Sequence, residues 1–425
     1  MKLKESFGYL IIAAAVIVVF MIWASVSPLT ERFSNASSSL LNLGRISGLL
    51  GITLMSMTFL INTRAKFLEK IFGSLGKAYT AHKIAGAASF MLLLFHPVLL
   101  ASSYMFASVG AASSLLVPGA SLVNDLGTLA LALLTLIIIY TLFIRIRYHR
   151  WKFVHKLTGL VLLFASLHAF MVSSDISASA PLRLYVGALV VVAFGSFFYR
   201  SLFSRLFVRR HSYIVDEVEA VKGHVTNIRF RPSGKAMKYK PGQFCYITFK
   251  ANGFSREEHP FSISSHPGDP YVRLSIKPLG DFTSTLPGMY KGAGALIEGP
   301  FGNFSSERYP GRQIWIAGGI GVTPFLSMAR GENKGAEIDL YYCVKDMGEA
   351  VFLDELNKAS KGKKLKLIPH FSSEKGHINA SMIKDAIGSH IFICGPPPMM
   401  KALKDGLLRL GVKKEMIHTE EFRML

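Results

Sequence analysis

Four histidines lie inside apolar sequence between Ala81 and Ala169: His82, His96, His155 and His168. The first two sit in YTAHKIAGAASFMLLLFHPVLL and the other two in WKFVHKLTGLVLLFASLHAF. Ionisable groups in such surroundings are costly and are functional candidates by default. The spacings within the pairs are 14 and 13 residues. At a helical rise of ~1.5 Å per residue, each pair spans roughly 20 Å. Two such helices side by side present two facing His–His sites, one near each surface of a bilayer. That is the arrangement needed to hold two six-coordinate haems through His82/His155 and His96/His168. The spacing also carries a conflict. Fourteen residues are almost four turns, so His82 and His96 share a face, whereas His155 and His168 fall about 140° apart on an ideal helix. A tilt or a local distortion has to absorb the difference.

The chain that must position these residues has 425 residues, 50% of them hydrophobic, with a mean hydropathy of +0.36. The apolar excess lies in the first half, which predicts a membrane domain followed by soluble domains. Six apolar spans are read at about 8–27, 40–61, 84–106, 122–144, 153–173 and 185–203, each near the ~20 residues a bilayer requires. The net charge is +21. Nucleic-acid binding is one account of it, but many of the cations flank the spans. The second loop carries Arg64, Lys66, Lys70 and Lys77; the fourth carries Arg145, Arg147, Arg150 and Lys152; the third carries none. The positive-inside rule then puts the N-terminus, loops two and four, and everything after residue 204 in the cytoplasm of a cell-membrane protein. With that topology His82 and His155 lie near the inner face, and His96 and His168 near the outer face. His149 reads as a surface or headgroup contact. Arg45, in the outer half of the second span, needs an anionic partner, for which a haem propionate would serve, or it snorkels to the outer headgroups. The first span is long for the hydrophobic core of a signal peptide. Cys245, Cys343 and Cys394 are widely separated, which predicts reduced thiols and neither a disulfide framework nor a metal cluster.

From Ser212 the pattern changes to short runs bounded by Pro and Gly: YIVDEVEAV, HVTNIRF, FCYITF, YVRLSIK and GALIEG. These predict a small antiparallel β-barrel. After Tyr309, strand-like runs (QIWIAGG, IDLYYCV, KLKLIPH, HIFICGP) alternate with helical ones (TPFLSMAR, AVFLDELNKAS, SMIKDAIG, MMKALKDGLLRLG). Alternation of this kind predicts βαβ units around a parallel sheet. The domains are therefore expected at 1–208, 209–308 and 309–425. WIAGGIGVTP, at 315–324, is a strand entering a glycine-rich turn and a helix, where the backbone can approach a pyrophosphate. ICGPPPMM, at 393–400, is a second strand end, again at the edge where such sheets bind ligands.

HPFSISS, IKPLGDFTSTL, GPFG, AGGIGVTPF, CGPPPMM and a C-terminal IHTEEF, taken in this order, resemble the ferredoxin–NADP reductase-like flavoproteins. Joined to a six-span domain with two His pairs, the whole chain resembles the ferric reductase transmembrane/NADPH oxidase family, most closely its short bacterial members. The resemblance implies FAD, two b-type haems and NADPH or NADH. It implies that Phe261, next to Pro260, packs on the flavin, that Ser262 bonds near its reactive nitrogen, and that His259 lies by the FAD phosphates. Gly280 and Thr283 would offer backbone and hydroxyl donors to the FAD pyrophosphate, and Lys277 is a further cofactor-binding candidate. Gly318, Gly319, Gly321, Thr323 and Pro324 would hold the dinucleotide, with Cys394, Gly395 and Pro396 lining the nicotinamide's approach and Phe422 stacking on the flavin. Arg45 resembles the family's arginine near the outer haem. Two departures stand out. Leu100 occupies a position where many eukaryotic members carry a further His, which weakens a dedicated oxygen site. The preference for NADPH rests on Lys345 or Lys375, either of which could hold a 2′-phosphate or simply be a surface lysine.

These residues predict a transmembrane NAD(P)H oxidoreductase that delivers electrons through FAD and two haems to extracytoplasmic dioxygen, giving superoxide. The alternatives are ferric-chelate reduction along the same path, delivery to quinone or to a partner protein, and, from another class, a transporter or structural haem subunit with a tethered flavoprotein. No nucleic-acid partner and no obligatory protein subunit are expected, with the lipid bilayer as surroundings.

Overall fold

The computed structural model describes residues 2–119, 121–144, 148–331 and 335–420. The chain divides into two compact units, residues 3–208 and 209–425.

Among the described residues of the first unit, six helices are long and apolar enough to cross a membrane: Phe7–Val26, Ala36–Ile61, Leu75–Tyr104, Leu122–Phe143, Tyr148–Met171 and Ala180–Leu202. The third begins nine residues before its apolar run, at a Ser74 cap whose hydroxyl accepts from the Lys77 amide at 3.2 Å. Its first turns are basic and so escape hydropathy. The second span is the axis of the unit, because 72% of its apolar window is buried against 11–28% in the other five. Small residues make that possible. A Cβ on Gly44, Gly48 or Gly51 would lie 2.7–2.8 Å from Leu100, His96 or Leu93 of the third span. Such glycines let transmembrane helices approach closely.

The fifth span is not one continuous helix. It runs as Tyr148–Lys156 and Thr158–Met171, interrupted at Leu157. The Leu157 amide bonds back only three residues, to the Val154 carbonyl at 3.0 Å, and the Leu160 amide likewise reaches Leu157 at 2.9 Å. This tightened turn re-phases the helix and absorbs the angular conflict between His155 and His168.

A buried polar cluster ties segments far apart in sequence. Arg32, 4% exposed, donates to Asp175 Oδ1 at 2.9 Å, to Asn42 Oδ1 at 2.7 Å and to the Trp23 carbonyl at 3.1 Å. Trp23 Nε1 donates to the other Asp175 oxygen at 3.1 Å. No local sequence pattern singles these residues out.

The second unit holds two sheets. The first has six antiparallel strands in the order β4-β3-β6-β1-β2-β5: β1 His211–Val221, β2 Val225–Pro232, β3 Phe244–Lys250, β4 His259–Ser262, β5 Val272–Ile276 and β6 Gly294–Phe301. Their inward residues, among them Val215, Ile228, Phe230, Ile247, Phe249 and Leu274, form one core. The predicted barrel is incompletely closed. Edge strands β4 and β5 share no continuous ladder: just past β4 the chain makes the single Ile263–Leu274 bridge, with the Ser264 amide on the Arg273 carbonyl at 2.9 Å and the Ser264 and Ser265 hydroxyls bonding the Arg273 main chain.

The second sheet is parallel, with order β11-β10-β7-β8-β9: β7 Gln313–Gly318, β8 Ile338–Val344, β9 Leu365–Phe371, β10 His390–Cys394 and β11 Ile417–Thr419. Helices Thr323–Ala329, Leu353–Ser360 and Pro397–Arg409 connect it. One expected helix is absent. SMIKDAIG forms a single 3-10 turn, Ala380–Met382, capped by Asn379. Ile378, Ala380, Ile383 and Ala386 are all buried, and Asp385 has a positive φ of 52°, which ends any helical run. The two sheets are joined by ion pairs. Arg273 grips Glu355 through two bonds of 2.6 and 3.0 Å, and Arg330 grips Asp269 through two of 2.8 and 3.0 Å.

Candidate functional site

The structure brings the four membrane histidines together as two opposed pairs. The ring centroids of His82 and His155 are 6.3 Å apart, and those of His96 and His168 are 6.2 Å apart. Two imidazoles facing one metal, with each nitrogen about 2 Å from it, put their centroids roughly 6 Å apart. Among the described residues no group of three or more His, Cys, Asp and Glu could hold a metal. Each pair thus offers two ligands only, which suits a metal that brings its own equatorial nitrogens, as haem iron does, rather than a four-ligand zinc site.

Three of the rings are fixed from behind. His82 Nδ1 lies 3.0 Å from the Thr58 carbonyl, His96 Nδ1 2.7 Å from the Gly44 carbonyl, and His168 Nδ1 2.7 Å from the Val123 carbonyl. A carbonyl can only accept, so each Nδ1 carries the proton and each Nε2 keeps its lone pair for a metal. The notches are built alike in the outer pair. Four residues beyond each accepting carbonyl stands a glycine, Gly48 after Gly44 and Gly127 after Val123. A Cβ there would come within 2.7 Å of His96 Nδ1 or 2.9 Å of His168 Nδ1. The missing Cβ is what exposes a carbonyl otherwise shielded inside its helix. Thr58 lies in the last turn of Ala36–Ile61, and its carbonyl accepts both the Asn62 amide at 3.2 Å and the His82 ring. Neither glycine stands out in the sequence, because a glycine in a membrane helix reads first as a packing residue. Arg45 is half-buried and makes no hydrogen bond or ion pair among the described residues.

In the soluble unit, β4 pairs with β3 so that Ser262 faces Phe244, Phe261 faces Cys245, Pro260 faces Tyr246 and His259 faces Ile247. His259 is stacked on Phe282 with centroids 3.7 Å apart and bonds Glu257 at 2.9 Å. The Gly280 amide donates to Thr283 Oγ1 at 3.0 Å, and that hydroxyl lies 3.1 Å from the Gly280 carbonyl. These groups cap the helix Asp281–Thr285 and are satisfied by one another. Lys277 lies 3.6 Å from Glu349.

The glycine-rich turn and the CGP turn meet at the switch point of the parallel sheet. Strand order proceeds from β7 to β8 and β9 on one side and returns to β10 on the other, and ligands bind open α/β sheets at such a crevice. Cys394 is in register with Ala317. A Cβ on Gly321 would lie 2.4 Å from the Cys394 carbonyl, and one on Gly395 would lie 3.0 Å from Gly318 Cα. The turns touch main chain to main chain, which only glycine allows. Gly319, at φ 53°, needs glycine for its backbone angle as well. Thr323 and Pro324 open the helix that follows, with the Thr323 hydroxyl donating to the Ile320 carbonyl at 3.0 Å. Pro396 caps Pro397–Arg409. Burial pushes the Cys394 thiol up, and the Glu420 carboxylate pushes it further. Glu420, 6% exposed, is a neighbour that sequence reasoning missed within IHTEEF. Phe422 lies outside the described residues. Cys245 and Cys343 are also buried, which raises each to about 12.

Three family models match the chain in succession: a ferric reductase-like transmembrane component at residues 47–166, an FAD-binding domain at 211–305 and an oxidoreductase NAD-binding domain at 315–405. Flavohemoprotein A of Dictyostelium discoideum is 31% identical over 241 residues, which are 49% of this chain and 59% of that protein. A carnitine monooxygenase reductase subunit of Escherichia coli is 27% identical over 197 residues, 44% of this chain and 61% of that one. The chain thus spans about three fifths of the length of these relatives. Among solved structures, a flavohemoglobin from Malassezia yamatoensis, with bound FAD and haem, superposes with a TM-score of 0.53 at 19% identity, covering 91% of this chain and 99% of that one; the likeness is one of fold. The order of the three matches, on a six-span unit followed by an antiparallel and a parallel sheet, is that of the ferric reductase/NADPH oxidase family with its FAD- and NAD-binding oxidoreductase module.

Proposed function

We propose that this protein is a transmembrane NAD(P)H oxidase that takes electrons from cytoplasmic NAD(P)H and delivers them to dioxygen on the far side of the cell membrane, giving superoxide. The observation that carries the reading is the double bis-histidine frame, with centroid separations of 6.3 and 6.2 Å. When bound, FAD accepts a hydride and releases single electrons, and the two haems accept them one at a time. The chain's own residues bind and orient. His82 and His155 would hold the inner iron and His96 and His168 the outer one, with the Nδ1 protons of His82, His96 and His168 directed away from the metal onto backbone carbonyls. Arg45, unpaired and half-buried one residue from the carbonyl that holds His96, suits a propionate carboxylate. Gly318, Gly319 and Gly321, with Thr323 and Pro324, would take the dinucleotide, and Cys394, Gly395 and Pro396 would border the nicotinamide. A buried, protonated Cys394 is a small neutral wall and not a nucleophile. Ser262 and Phe261 on β4 would meet the flavin, with Phe422 covering its other face. Lys345 directly follows β8, and Lys375 closes the short helix Ser372–Lys375 after β9; the two segments are joined by the Ser373 hydroxyl on the Lys345 carbonyl at 2.8 Å. Both lysines are exposed there, which suits a 2′-phosphate and so NADPH.

Charge favours dioxygen over an anionic ferric chelate. The loops on the His96/His168 side, residues 27–35, 105–121 and 172–179, contain one cation, Arg32. It is buried against Asp175, and Arg183, exposed in the first turn of the sixth span, turns its guanidinium onto the Ile176 and Ser177 carbonyls, so an anionic chelate meets little uncommitted positive charge. A neutral diatomic needs no such landing site. The test is NADPH-driven cytochrome c reduction by the purified, FAD-supplemented protein, with and without superoxide dismutase. Loss of most of the signal with the dismutase is expected. A signal that persists transfers the assignment to chelate or direct acceptor reduction.

A further inference from the structure

The four histidines are not equivalent. Nδ1 of His82, His96 and His168 each faces a backbone carbonyl, whereas Nδ1 of His155 is buried with no hydrogen-bond partner among the described residues. Its ring lies flat against Trp151, centroids 5.2 Å apart and planes 17° apart, and Trp151 lies in turn on Tyr148 at 5.7 Å and 25°. An indole face covers the imidazole but supplies no lone pair for its N–H.

We propose that His155, held from its face by Trp151 and with no acceptor for its Nδ1–H among the described residues, makes the His82/His155 pair the more oxidising of two redox sites and the His96/His168 pair the more reducing; this rests on the haem reading above. A carbonyl on Nδ1–H gives the imidazole part of the character of its anion and strengthens its donation to a metal. Stronger donation stabilises the ferric over the ferrous state, and hydrogen bonding behind the axial ligand is one of the protein's levers on haem potential. The outer pair has two such bonds, both 2.7 Å. The inner pair has one, at 3.0 Å. Reduction of each site takes one electron from the reductant, with no bond to histidine made or broken and no proton lost at Nδ1. Electrons therefore collect at the inner pair when no acceptor is present, while the site facing dioxygen holds its electron less tightly. Trp151 acts through His155 and is a positioning residue.

The test is an anaerobic spectroelectrochemical titration of the purified full chain, following the haem α-band with mediators. The wild type is expected to show two one-electron waves. When the lower site is half reduced, the ferrous-to-ferric ratio at the upper site is expected to be at least about tenfold higher, equivalent to about 59 mV. Trp151→Gln places an amide carbonyl one helical turn from His155. It is expected to move the upper wave at least halfway toward the lower one and to shift the low-spin ferric EPR signal of one site only. Trp151→Phe, which keeps a flat apolar cover, is expected to leave both waves in place. A single unsplit wave in the wild type overturns the proposal, whatever the variants do. So does a Trp151→Gln protein that retains both haems but moves the lower wave or neither, or a Trp151→Phe protein that shifts as far as Trp151→Gln. A wild type with no haem absorbance at all overturns the haem reading instead, and the two failures are told apart by the Soret band.

Discussion

Gly48→Ala is the sharpest single perturbation of the outer site. The added Cβ would stand 2.7 Å from His96 Nδ1, 2.9 Å from Cε1 and 3.2 Å from Cγ. Ordinary contact begins at 3.4 Å, so the ring must retreat by about 0.7 Å. It cannot do so and keep both its 2.7 Å bond to the Gly44 carbonyl and a metal bond of about 2 Å. Overpacking of this kind costs about 1–3 kcal/mol, and the strained or lost hydrogen bond adds about 1 kcal/mol. A total of about 2–4 kcal/mol is roughly a 30- to 1000-fold loss of affinity. The expected outcome is a fall from two haems per chain to one, read by pyridine haemochrome against protein concentration, with the His82/His155 signal unchanged. Gly127→Ala attacks the opposite ligand, with its Cβ 2.9 Å from His168 Nδ1, and should lose the same haem. Gly86→Ala is the control. It lies one turn from His82, and its Cβ would meet nothing closer than Thr58 Cγ2 at 4.0 Å. Two haems retained in Gly48→Ala with an unaltered spectrum would refute the notch argument. Equal loss in Gly86→Ala would refute it too, since packing in general would then be the cause.

Gly321→Ala drives a Cβ to 2.4 Å from the Cys394 carbonyl, a main-chain atom that cannot rotate away; reduction by NAD(P)H should fall at least tenfold while dithionite still reduces the haems, and normal turnover would contradict the switch-point site. Asp175→Asn leaves Arg32, 4% exposed, without its counter-charge, at a cost of about 3–5 kcal/mol; thermal loss of the Soret band in detergent should move down by several degrees, and an unchanged midpoint would count against the cluster as a tie. The cysteines give a pH prediction. Burial raises Cys245 and Cys343 to about 12 and Cys394 upward as well. The reactive thiolate is therefore scarce at pH 8, about one part in ten thousand, and grows only as pH rises toward 12. Mass spectrometry after maleimide treatment should find no adduct on the native chain at pH 8 and three after denaturation, whereas native labelling would contradict the burial.

Much of this architecture could be read from the sequence because its signals are periodic or compositional. The strands of the first sheet follow inward alternation at Val215, Ile228 and Phe249, and the six spans follow apolar length. The imidazoles could be read because a titratable group is costly in an apolar run unless it binds something there. The interruption at Leu157 could not, since Thr158 and Gly159 beside it read as ordinary membrane-helix residues; the Thr158 hydroxyl on the His155 carbonyl at 2.7 Å and the Phe197 ring against Gly159 show only in the packed helix. SMIKDAIG misled because its apolar spacing mimics a helix, while Ile378, Ile383 and Ala386 are anchors of a turn. Gly48, Gly127 and Trp151 stayed hidden for a common reason. Their roles depend on what lies across a helix interface, and no local pattern reports that.

The acceptors behind His82, His96 and His168 are main-chain carbonyls. A side-chain acceptor can be deleted by a single codon change; a carbonyl cannot, because every residue type carries one. Chance substitution can reach these bonds only indirectly, through a new Cβ at Gly48 or Gly127 or through a slip of helix register. Across most of the genetic neighbourhood of this chain, the orientation of those three rings is therefore inherited with the helices themselves. His155, seated on a replaceable indole, is where variation has room to adjust the electronic character of the site and leave its framework standing.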